Sequence, residues 1–103
     1  MTKEIFFALL TVRLLKLQFV ADMSWNDKII TFRPPMGSNK NGSIYITNYD
    51  DHIQINCYKI SKSCYTKEIK KETIEMLLSP TVHIESIMVD IKSKLNLTVD
   101  IKK

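Results

Sequence analysis

The chain has 103 residues, 45% hydrophobic and 25% charged, with 15 basic against 11 acidic side chains and a net charge of +4. This length supports one core and excludes a catalytic domain joined to a regulatory one, so residues 1–103 read as a single domain. The apolar residues are spread along the chain, which argues against disorder, and only 2 glycines leave no room for a glycine-rich phosphate loop.

The segment from Ile5 to Ala21 is rich in Phe, Leu and Val. Arg13 and Lys16 interrupt it, and Phe19 stands where signal cleavage needs a small residue. It therefore reads as part of the mature core rather than a membrane span or a signal peptide. A helix is expected from Thr2, with a switch to strand after Thr11, because Leu15, Leu17 and Phe19 alternate with Lys16 and Gln18. Residues 24–27 read as a turn, with Trp25 covering the end of the core or serving in recognition. Residues 28–33 form a short strand with Ile30 and Phe32 on one face; Pro34 and Pro35 stop it and mark it as an edge. A polar loop follows to Gly42.

Residues 43–60 alternate on both sides of an acidic turn, Asp50-Asp51. Pairing Tyr49 with His52 sets Ile46 opposite Ile55 and Ile44 opposite Cys57, with Thr47–Gln54 and Tyr45–Asn56 on the other face; a slip of two residues would keep the same faces, so the facing is set more firmly than the register. Residues 61–65 connect to a helix capped by Thr66 and running to about Leu78, with Ile69, Thr73, Met76 and Leu77 on one side. Ser79-Pro80 restarts the chain as a cap and first helical residue. Ile84, Ile87, Met88, Ile91 and Leu95 then fall on one helical face. Leu95, Leu97, Val99 and Ile101 alternate as a closing strand. The expected fold is α+β: an antiparallel sheet, hairpin at its centre and C-terminal strand included, with helices packed on one face.

Two surfaces are candidates for binding. Tyr45, Thr47, Tyr49, His52, Gln54, Asn56 and Tyr58 share the polar face of the hairpin, and tyrosine offers contact area at low entropy cost. Lys59, Lys62, Lys67, Lys70 and Lys71 form a basic cluster, three of them in the first turns of the expected helix, where the helix dipole disfavours cations. Arg13 and Arg33 are the only arginines, which speaks against bidentate reading of bases or phosphates.

Chemistry has little to draw on. His52 with Asp50 and Asp51, or His52 with His83, could serve acid–base catalysis, but His83 falls on the outer side of its helix with Ser86 and Asp90. His52, His83, Cys57 and Cys64 lack zinc-site spacing, and no cofactor motif is present. Cys57 is in phase with the buried isoleucines, and both thiols are expected to be reduced.

These features fit a non-enzymatic cytoplasmic binding module, an inhibitor or immunity-type protein occluding a partner protein in a hetero-complex. The alternatives are a lysine-rich nucleic-acid-binding accessory protein and a structural subunit forming a homodimer through its apolar N-terminal segment. The Ile-, Lys- and Asn-rich, Ala- and Gly-poor composition points to a bacterial or phage source.

Overall fold

The computed structural model describes residues 1–17, 19–23, 28–34, 42–59 and 62–95. In chain order the elements are α1 (Lys3–Leu15), β1 (Val20–Met23), β2 (Ile29–Arg33), β3 (Ser43–Asn48), β4 (His52–Lys59), β5 (Lys62–Lys70), α2 (Lys71–Glu75) and α3 (Pro80–Lys94). The strands form one antiparallel sheet in the order β1-β2-β3-β4-β5, a meander in which sequence neighbours are spatial neighbours. The α+β class is as the alternation and helical periods predict. The expected turn at 24–27 with Trp25, most of the 36–42 loop, and the closing strand beyond Leu95 lie outside the described residues.

The central hairpin takes the register set by its turn. Ile46 stands opposite Ile55, Ile44 opposite Cys57, Thr47 opposite Gln54 and Tyr45 opposite Asn56. The Tyr49 N–H donates to the His52 carbonyl at 2.9 Å. Ile44, Ile46, Ile53, Ile55 and Cys57 are fully buried beneath the helices. A slip of one residue would exchange that set for the polar one, which fixes the facing.

The N-terminal helix extends past Thr11 to Leu15, and the strand starts only at Val20. Thr2 caps it: its Oγ1 accepts the Ile5 N–H at 3.2 Å. Phe6, Phe7, Leu10 and Leu14 form its buried face, and this stripe carries the helix through the stretch that also alternates. Lys3 is buried as well, its Nζ donating to Asn48 Oδ1 of β3 and to Glu4 Oε2. Because β1 pairs with β2, the strand ending in prolines is interior, and the edge falls to β1.

The helix expected from Thr66 is corrected most. Residues 62–70 are strand β5, paired with β4, and the helix is only the five residues of α2. Thr66 caps nothing; its Oγ1 donates to Asn56 Oδ1 across the strands at 3.2 Å. The alternation is disguised because the register shifts at Cys57/Tyr58, where Cys64 is inserted as an extra residue. Past that bulge, Tyr65, Lys67 and Ile69 take the core side, opposite Cys57, Ile55 and Ile53. Lys67 breaks the apolar pattern there, as an edge position allows when a long stem covers apolar surface and the ammonium reaches water. Met76 and Leu78, downstream, are exposed.

α3 matches its expectation: Ile84, Ile87, Met88, Ile91 and Leu95 are all buried. Pro80 is at the first turn, although Ser79 makes no side-chain capping bond. Arg13 joins α1 to α3, its Nε and Nη2 donating to Glu85 Oε2 and Oε1 at 2.6 and 2.7 Å. This fork raises the Arg13 pKa and lowers that of Glu85. Among the described residues, no helix is long and apolar enough to cross a membrane.

Candidate functional site

All the packing described above uses one face of the sheet. The opposite face is left open by the helices, and the strand register decides what it carries. On β3 these are Ser43, Tyr45 and Thr47; on β4, His52, Gln54, Asn56 and Tyr58. Every hairpin residue singled out from sequence falls on this side, with Tyr49 at the turn. The same parity adds Ile29, Thr31 and Arg33 from β2, and Thr66, Glu68 and Lys70 from β5.

The middle of this face is concave. An open depression of about 540 Å³ is lined by Ile29, Gly42, Ser43, Tyr45, Thr47, Asn56 and Tyr58. Tyr45 and Tyr58 meet edge to face, ring centres 5.6 Å apart at 85°, a geometry that holds both rings upright. Tyr45 remains 37% exposed, so a large aromatic surface faces water beside Ile29, itself 37% exposed. The lining is uncharged: hydroxyls from Ser43, Thr47 and the tyrosines, an amide from Asn56, and one aliphatic side chain. Charge is kept to the margin, where Arg33 pairs with Asp22.

Gly42 belongs to this lining for a backbone reason. Its φ is +101°, and a Cβ there would lie 2.8 Å from Leu95 Cδ2 and 3.0 Å from the Tyr58 carbonyl oxygen. The chain can therefore enter β3 against Tyr58 only with glycine at this point. Gly42, Ser43 and Ile29 were not among the candidates read from sequence. Carrying the hairpin's parity one step back along β3 finds Ser43, and carrying it to β2 finds Ile29; the close approach of Gly42 to Leu95 is tertiary and leaves no local signal.

At the hairpin turn, His52 stacks on Tyr49 with ring centres 4.6 Å apart and 22° between planes. Its Nδ1 lies 2.6 Å from Asp51 Oδ1, and this contact holds the Asp51 carboxyl below its usual range. Tyr49 and His52 thus form a stacked pair at the turn, outside the residues that line the depression.

His83 is corrected. It does not sit on the outer side of α3: its ring lies 6.0 Å from that of Phe6, and its Nε2 is buried with no hydrogen-bond partner among the described residues. Burial, with Lys67 nearby, lowers its pKa. His52 and His83 consequently stand on opposite sides of the sheet and make no acid–base pair. No group of three or more His, Cys, Asp or Glu able to hold a metal occurs among the described residues.

The lysine cluster is divided. Lys59 and Lys62 face each other at the end of β4 and β5, Lys67 takes the core side, Lys70 takes the open side opposite His52, and Lys71 begins α2. Lys71 Nζ is 4.0 Å from Glu75. The expected concentration at a helix start is absent because that stretch is a strand, which sends alternate lysines to opposite faces.

No protein-family model matches this chain, and no curated protein or solved structure is significantly similar to it.

Proposed function

We propose that this protein is a binding module that docks a partner protein on the open face of its sheet, covering a functional surface of that partner as an inhibitor or immunity-type protein does. The observation that carries the reading is the tyrosine-walled, uncharged depression on a rigid five-stranded sheet whose other face holds the core. Fixed aromatic side chains with one apolar contact and several adaptable hydrogen-bonding groups resemble the centre of a protein interface, with charge at its rim. The dispersal of the five lysines favours this over a phosphate-binding surface, which needs its cations on one side. The site works in the cytoplasm by shape, with no chemical step.

The test is capture of the tagged protein's partner from nuclease-treated lysate, run in parallel with a Tyr45→Ala/Tyr58→Ala variant. A stoichiometric protein retained by the first and lost by the second supports the reading. Retention by both would move the interface elsewhere, and capture that vanishes with nuclease would favour nucleic acid.

A second reading has its own observation. On α1 the residues opposite the buried face are also apolar, and Ile5, Leu9, Val12 and Leu15 are 39–51% exposed. Such a stripe fits a homodimer formed through the N-terminal helix. Sedimentation equilibrium of the purified protein separates the two: a dimer dispersed by Val12→Glu would establish this interface.

A further inference from the structure

The β4–β5 edge brings the two cysteines of the chain together. Across the bulge, Cys57 pairs with Tyr65 and Tyr58 with Ser63, so Cys64 is the additional residue facing the Cys57 step. At a bulge of this kind two residues stand against one, which turns the extra side chain toward its neighbour's side of the sheet. Cys64 accordingly packs against the hydrophobic core that contains Cys57 instead of pointing away from it. Both are free thiols, Cys57 fully buried and Cys64 partly buried. The register partner of Cys57 is Tyr65, and Cys64 adjoins it in the bulge, so the two cysteines occupy neighbouring positions of paired strands, the closeness of approach a disulfide requires.

We propose that Cys57 and Cys64 are a redox pair: a peroxide converts them to an intramolecular disulfide that ties β5 to β4. The two thiols have different parts. Cys64 is the one that solvent reaches, so its thiolate attacks a peroxide oxygen, the O–O bond breaks, hydroxide leaves and takes up a proton from solvent as the first water, and Cys64 becomes a sulfenic acid. The Cys57 sulfur then attacks the Cys64 sulfur. The S–S bond forms, the S–OH bond breaks, and the departing hydroxide takes the Cys57 proton as a second water. Two electrons pass from the thiol pair to the peroxide. Burial pushes the Cys57 thiol up to about 12, which keeps it from reacting with peroxide by itself and reserves it for the resolving step. Tyr58 follows Cys57 directly and lines the depression, so the bond fixes the edge next to the candidate binding face.

The experiment treats the folded protein with equimolar hydrogen peroxide, then maps peptides and counts free thiols after unfolding. The expected result is the loss of both thiols, a peptide joining Cys57 to Cys64 within one molecule, and recovery of both thiols with dithiothreitol. In a Cys64→Ser variant, Cys57 should stay reduced under the same treatment. A Cys57→Ala variant, if it folds, should carry Cys64 on to sulfinic acid or to a disulfide between molecules. Wild-type protein in which Cys64 over-oxidises or links two molecules while Cys57 remains free would overturn the proposal, as would two thiols unreacted in excess peroxide.

Discussion

At the scale of single residues, Gly42, His83 and three paired carboxylates show how packing settles what composition leaves open. Gly42 holds a positive φ and leaves no room for a Cβ. Gly42→Ala is expected to cost about 1–3 kcal/mol in denaturant unfolding. A change within a few tenths would mean that the chain relaxes away from Leu95. His83 carries a buried nitrogen with no hydrogen-bond partner among the described residues, so folding favours its neutral form. Its folded pKa lies below the ordinary 6.5. Its contribution is therefore fully present above 6.5 and is lost as pH falls from there through the folded pKa. Stability should drop as pH falls below 6.5, and His83→Phe should flatten that part of the profile. An unchanged slope in the variant would show that the imidazole is solvated. Glu4, Asp51 and Glu85 are each held below their ordinary values, by Lys3, His52 and Arg13 respectively. They add a second loss of stability at lower pH, starting near the ordinary carboxylate range. The environment of His83 was not legible in the sequence, since its place on the helical wheel borders the buried face and only the approach of Phe6 encloses it.

At the scale of elements, the legible parts were those whose period is unbroken. The hairpin alternates without interruption, and its turn fixed the register pair by pair. α3 keeps Ile84, Ile87, Met88 and Ile91 on one face, with Leu95 following at its C-cap, and all five are buried. β5 failed for a physical reason: one inserted residue, Cys64, shifts the phase, and Lys67 fills a core-side position at the sheet edge. α1 presents a different ambiguity. Its apolar residues surround most of the helix, and the sequence could not say which would be buried. Phe6, Leu10 and Leu14 are fully buried, while Ile5 and Val12 are each 51% exposed. A core truncation such as Leu10→Ala should cost roughly 2–5 kcal/mol. Val12→Glu should leave thermal stability nearly unchanged. Equal destabilisation by the two would mean that the outer stripe is covered.

For the molecule as a whole, the sheet separates the core from the face proposed for recognition. One face carries the core with both long helices, and the other carries the tyrosines, amides and hydroxyls that line the depression. The hairpin's share of that second face could be read from sequence because it follows from period two. Its concavity could not, because it depends on Ile29 coming alongside Thr47 and on the close entry of Gly42. On this division, substitutions on the open face are expected to leave the core intact, and this makes the functional proposal directly measurable. The decisive quantity is the affinity of the purified partner for wild-type protein and for the Tyr45→Ala/Tyr58→Ala variant, with far-ultraviolet circular dichroism to confirm that the variant is folded. A folded variant that binds roughly 30-fold or more weakly is the expected result. A folded variant with undiminished affinity would contradict the assignment of the open sheet face as the binding surface.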